Sequence, residues 1–220
     1  MTTEERAVAQ SVLDRPDRRG GTRQSLVLRV AKLRCCGGEY LCIVQDVSET
    51  GVKLRLFHAH PPDSHMFLEL SNGALFAIER RWIDGDHAGF RFSSPIDLEA
   101  FMKEPGSLAR RPMRVRFQRP AVLKAASGDA HAMLINLSQQ GACIEAGRRL
   151  ALKERVRIEV DGVPARIAHV CWRREYTHGL VFQESFALRE LAGIAFECQP
   201  YQAEPMKVAR WAEQARALCA

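Results

Sequence analysis

The sequence predicts a mainly β protein: two small antiparallel β-barrels in tandem, each followed by a short helix, with an amphipathic helix at the C-terminus. Three observations predict it. The chain of 220 residues repeats itself, and each repeat is a series of short alternating segments. A repeat is also too small to cover those segments with a second layer, so closing the sheet is the way to bury their apolar faces and remove exposed edges.

The repeat is read from spacing. Asp46, Ser48 and Gly51 in DVSETG match Asn136, Ser138 and Gly141 in NLSQQG, each 90 residues on. Trp82, Gly89 and Phe92 match Trp172, Gly179 and Phe182 at the same offset of 90. Upstream, Arg19 and Arg23 match Arg110 and Arg114 at 91, which puts a one-residue indel between the motifs. The copies are bounded at 14–102 and 108–197, joined by the short Pro- and Gly-containing stretch KEPGSLA at 103–109. A linker of that length holds two domains close together.

Strands are predicted in the first copy at 25–33, 37–47, 51–57, 65–70, 74–83 and 88–92, each with apolar residues alternating and turn formers between. The second copy repeats them in RFQRPAVLKAA, HAMLINL, GACIEA, RVRIEV, VPARIAHVCW and HGLVF. Short helical stretches follow at 95–102 and 185–196, each placed to plug a barrel end. Within 203–220, Met206, Val208, Trp211, Ala215 and Leu218 fall near one helical face. That face is expected to pack on the second domain, with a dimer or partner interface built on Trp211 as the rival use.

Composition narrows the function classes. Hydrophobic residues at 46% and charged residues at 26% describe a folded chain. No apolar run is long enough to span a bilayer, and MTTEERAVAQ lacks the apolar core of a secretory signal, so no membrane insertion and a cytoplasmic location are expected. Seven cysteines, odd in number and irregular in spacing, support neither a disulfide framework nor a zinc site; adjacent Cys35 and Cys36 are expected as reduced thiols at a strand end. His58, His60 and His65, interrupted by Pro61 and Pro62, lack metal-ligand spacing. No nucleophile–base pair, glycine-rich phosphate loop or paired carboxylates are recognisable, and no enzymatic activity or cofactor is expected. The net charge of +6 favours an anionic partner, leaving nucleic acid, nucleotide, lipid and acidic protein open.

Two features in each copy point to one kind of anion. The first is the pair of arginines four apart at the entrance to the first strand, Arg19 with Arg23 and Arg110 with Arg114. Guanidinium is a planar, permanently charged fork that grips phosphate oxygens, stacks on purines and donates to guanine O6 and N7. The second is the Asp46–Ser48–Gly51 or Asn136–Ser138–Gly141 turn. A carboxylate accepts from guanine N1–H and N2–H together, an amide oxygen does so less well, and a Ser hydroxyl adds a donor or acceptor. Glycine is expected there for a positive φ and for close approach of a ligand to the backbone. Trp82 and Trp172 are expected as core or rim packing residues rather than stacking platforms.

RxxxR followed after about 20 residues by [D/N]xSxxG in a small β-barrel resembles the PilZ family, the receptor domain for cyclic di-GMP; here the spacing is 23 residues from Arg23 to Asp46 and 22 from Arg114 to Asn136. The resemblance covers all but the N-terminal dozen residues and the last twenty or so. It implies that Arg19 and Arg23, or Arg110 and Arg114, hold phosphate and guanine. It further implies that Asp46 with Ser48, or Asn136 with Ser138, takes a guanine edge, and that Gly51 and Gly141 shape the loop. Gly20 and Gly21 between the first pair add freedom that binding must freeze, whereas Pro112 stiffens the second. The expected role is an effector: ligand binding alters the arrangement of the domains and the surface offered to a downstream protein. A barrel that binds single-stranded nucleic acid is the rival from another class; it is disfavoured by an aromatic content of 7% with few aromatics near the arginines. An adaptor with one or both domains degenerate is the third.

Overall fold

The structure, a computed structural model, describes residues 23–35, 38–103, 112–199 and 213–217, with side chains from 28 onward. Six strands form the first barrel: β1 (Arg23–Cys35), β2 (Gly38–Ser48), β3 (Gly51–Leu56), β4 (His65–Leu70), β5 (Leu75–Asp84) and β6 (His87–Phe92). They pair antiparallel in the order β1-β2-β3-β6-β5-β4 and close through β1 and β4. After the short helix α1 (Leu98–Met102) come β7 (Arg114–Ala125), β8 (Ala130–Ser138), β9 (Gly141–Ala146), β10 (Arg155–Val160), β11 (Val163–Arg174) and β12 (Thr177–Phe182), then α2 (Leu188–Cys198). The second barrel has the same circuit, closed through β7 and β10. Strand for strand the repeat holds: β9, β10 and β12 begin 90 residues after β3, β4 and β6.

Alternation explains the closure. In β3 the pattern is inward Val52, Leu54 and Leu56 against Lys53 and Arg55, and every strand supplies a comparable inner row. Leu33, Leu54, Leu68 and Ile78 meet in one core; Leu123, Ile144, Val170 and Leu180 meet in the other. Both helices close their barrels as expected. Asp97 caps α1 by accepting from the Glu99 and Ala100 amides at 2.9 and 3.2 Å, and Phe101 enters the first core beside Phe76 and Phe92. From the second copy, Phe186, Leu191, Ile194 and Ala195 enter the other core. Pro120 in β7 is tolerated because it follows a register shift between Arg116 and Arg119 and lies outside the β10 pairing, which runs from Ala121 to Ala125.

The two barrels share a seam. Leu41, which points out of the first barrel, is fully buried within the second barrel's core cluster, with Val30 and Phe57 packed against it. In return Phe196 of α2 packs on the first core and stacks on His58, ring centroids 4.8 Å apart. Gln199, just past α2, accepts from the Glu39 amide at 3.0 Å and donates to the Arg116 carbonyl at 2.9 Å, so one side chain bridges both barrels.

The C-terminal helix differs from expectation in where it packs. Residues 213–217 are helical, and Ala215 is buried against Phe67 and Ala77 of the first barrel, not the second. The outward Phe67 on β4 leaves an apolar face that this segment covers. Trp211, Met206, Val208 and Leu218 lie outside the described residues. Among the described residues no helix is long and apolar enough to cross a membrane, and no group of His, Cys, Asp and Glu is arranged to hold a metal ion.

Candidate ligand-binding site

In the second barrel Arg114 of the arginine motif and Asn136 of the turn motif meet at one rim. β7 and β8 pair with Arg114 opposite Ser138 and Arg116 opposite Asn136. From that register the Arg114 guanidinium reaches Asn136, donating from Nη1 to Oδ1 at 2.9 Å. Both border an open cleft of about 490 Å³, which falls within the roughly 300–1,000 Å³ of small-molecule sites. The cleft lies between the barrels: Lys32, Arg34 and Glu69 of the first face Arg114, Arg116 and Asn136 of the second. Among the described residues four cations against the single carboxylate Glu69 line it, which suits an anionic occupant.

The Ser of each motif bonds within its own turn, and the Gly differs from the expectation of a positive φ. Ser138 is buried and donates its hydroxyl to the Gly141 carbonyl at 3.0 Å; Ser48 does the same toward Gly51 at 3.3 Å while accepting from the Gly51 amide at 3.1 Å. These hydroxyls brace the turn. Neither Gly51 nor Gly141 has a positive φ. Each is needed because its strand runs close to its neighbour: a Cβ on Gly51 would lie 2.9 Å from the Phe90 carbonyl, and one on Gly141 would collide with that of Leu180.

The cross-strand register carries a feature the motif reading missed. One row of the second barrel's wall runs Arg116, Asn136, Cys143, Gly179, Trp172. Its counterpart in the first runs Ser25, Asp46, Lys53, Gly89, Trp82. Paired residues share a face, so the side chains from Asp46 to Trp82 in the first barrel's row, and those of the second barrel's row, each lie on one surface. The indoles are not in the cores: Trp82 is 40% and Trp172 42% exposed, and each lies across its glycine so closely that a Cβ there would overlap the ring. Tryptophan repeating at the same offset as a glycine was the signal in the sequence. Burial pushes the Cys143 thiol up, with the neighbouring Arg114 charge opposing.

The first barrel's site is described in part. β1 places Arg23 opposite Ser48 and Ser25 opposite Asp46, so the backbone of the arginine lead-in runs alongside the motif turn. Arg19 and Arg110 lie outside the described residues. Of the histidines, His60 meets the Gly85 carbonyl at 2.8 Å and His58 belongs to the seam. Cys35 ends β1 as a buried cysteine.

Comparison with known proteins agrees with the doubled architecture. A family model described as "PilZ domain" matches residues 17–104 and again 109–197. Solved structures similar to the chain include PlzA of Borreliella burgdorferi in complex with c-di-GMP, at 12% identity over 87% of this chain and 99% of that one, with a TM-score of 0.33. The Bacillus subtilis inhibitor of motility MotI/DgrA is similar at 12% identity over 77% and 93%, TM-score 0.35. Escherichia coli YcgR in complex with c-di-GMP is similar at 14% over 88% and 89%, TM-score 0.29. No curated protein matches the chain.

Proposed function

The chain belongs to the PilZ family, with one PilZ domain in each half, and on that premise we propose that it is a receptor for cyclic di-GMP whose occupancy changes how its two barrels meet. Support comes from one contact above all: Arg114 and Asn136, 22 residues apart in sequence, meet at 2.9 Å on the edge of a cationic cleft. The ligand carries two phosphates and two guanines. Arg114 turns from the Asn136 amide to fork onto a phosphate or onto guanine O6 and N7, and Arg110 joins it from the lead-in. Asn136, freed from Arg114, presents its oxygen to a guanine N–H. Trp172, held flat by Gly179 on the same row, offers a face for a base to stack on, an interaction worth about 1–3 kcal/mol. In the first barrel Arg19, Arg23, Asp46 and Trp82 take the corresponding parts, and Lys53 adds a cation where the second barrel has Cys143.

Because the second cleft is walled by both barrels, its occupant acts on their arrangement directly. It shifts that arrangement only as far as it binds one form better than another, and the altered outer surface is what a downstream protein reads.

Isothermal titration with cyclic di-GMP tests the assignment. Wild type is expected to saturate two components; Arg23→Ala removes one and Arg114→Ala the other, each weakened by at least tenfold, or about 1.4 kcal/mol. No binding by wild type, or unchanged affinity in both variants, overturns it. A steeply salt-dependent shift with a generic single-stranded oligonucleotide in place of nucleotide binding would transfer the cleft to nucleic acid.

A further inference from the structure

Glu39 is an acidic residue of the first barrel, yet most of its hydrogen bonds run to the second. Its side chain is 8% exposed. Oε2 accepts from the Arg116 amide at 2.9 Å and from Lys32 at 3.0 Å; Oε1 accepts from Arg116 Nε at 2.6 Å and forms an ion pair with its Nη2, also at 2.6 Å. Lys32 in turn donates to the Arg114 carbonyl at 3.2 Å and pairs with Glu69 at 3.1 Å. The start of β7, which carries Arg114 and stands opposite Asn136 and Ser138, is therefore held by two charged side chains from the other barrel.

We propose that Glu39, with Lys32, is a positioning residue of the second barrel's nucleotide site, so that this site is complete only when the first barrel is docked. The inference rests on the receptor assignment above and deepens it. Charge and geometry pull in opposite directions here, and geometry prevails. Glu39 brings a negative charge near an anionic ligand, but Lys32, Arg34 and Arg116 surround it, so the cleft stays cationic. Removing the carboxylate frees the Arg116 backbone and guanidinium and loosens the strand that aims Arg114. Ordering that strand then has to occur on binding, which weakens affinity. The first barrel's own site shares none of these contacts among the described residues: its arginine lead-in lies at the opposite end of β1 from Lys32 and Arg34.

The test uses the full chain in two backgrounds. In Arg23→Ala, which retains the second site, Glu39→Gln is expected to weaken cyclic di-GMP by about tenfold, and Glu39→Asp to recover part of that loss. In Arg114→Ala, which retains the first site, Glu39→Gln leaves affinity unchanged. Thermal melts establish that each variant is folded. Equal effects on both sites, or none on the second, overturn the positioning role. If Glu39→Gln fails to fold, Lys32→Met in the same two backgrounds decides it by the same selectivity. Absence of binding by wild type would instead remove the receptor assignment and is thereby distinguished.

Discussion

At the scale of single residues, the paired motif contains two kinds of position. Asn136 presents its side chain to the cleft, whereas Ser138, two residues on, turns inward and spends its hydroxyl on the Gly141 carbonyl. Ser138→Ala therefore leaves a buried acceptor without its donor and is expected to lower stability by about 1–3 kcal/mol in urea unfolding, with affinity changed only a few-fold. Asn136→Ala does the reverse: stability stays within about 0.5 kcal/mol, since its contact with Arg114 is exposed, and affinity for cyclic di-GMP in the Arg23→Ala background falls at least tenfold. A loss of affinity at Ser138 as large as that at Asn136 would return the hydroxyl to the ligand. The same division explains what the motif's letters disclose. They are legible as a pattern, but whether a Ser faces ligand or turn, and whether a Gly is required by φ or by a neighbouring strand, depends on the register of β9 against β12, which no local spacing encodes.

At the scale of elements, strands were legible because half-buried β segments write their alternation into the chain; the predicted 65–70, GACIEA and RVRIEV coincide with β4, β9 and β10, and the others differ by one or two residues at their ends. Packing partners were less legible. Ala215 on the C-terminal helix has no feature that distinguishes Phe67 of the first barrel from a surface of the second. His178 illustrates an element held by a group whose sequence context is silent. Buried under the 147–153 loop, it accepts from the Leu150 amide through Nε2 at 3.1 Å, while Arg173 ties the Leu150 carbonyl at 2.9 Å. Burial first, then the Arg173 charge, hold the folded pKa of His178 below its ordinary 6.5, and burial does the same to His58. The unfolded chain thus takes up these protons at higher pH than the folded one. Stability from the neutral rings is present above about pH 6.5 and declines as pH falls through the folded pKa values. Urea unfolding is expected to show lower stability at about pH 5.5 than at about pH 7.5, and His178→Gln, whose amide oxygen can still accept from Leu150, should narrow that difference. An unaltered difference would show that His178 is not among the groups responsible.

At the scale of the whole molecule, the duplication was legible and the seam was not, for a physical reason. Outward positions of a barrel strand are ordinarily solvated, so Glu39 and Leu41 on β2 read as one charged and one incidental apolar surface residue. Their burial arises from a partner more than 70 residues away, Arg116 for Glu39 and the second barrel's core for Leu41. The linker makes the barrels neighbours; these two residues, with Phe196, Gln199 and Lys32, carry the contacts between them. Because Leu41 is fully buried in a core to which its own barrel does not belong, the two halves should lose structure together. Wild type is expected to unfold in a single calorimetric transition. Leu41→Ala leaves a void at the seam and should cost about 2–5 kcal/mol. Leu41→Asp places an unpaired charge there and should divide the transition in two, each barrel then melting on its own core. With the barrels uncoupled, the second cleft loses the wall that carries Lys32 and Arg34, so Leu41→Asp should also weaken cyclic di-GMP at that site while sparing the first. Two transitions already present in wild type, or a single one retained in Leu41→Asp, would mean that the seam does not bind the halves into one cooperative unit.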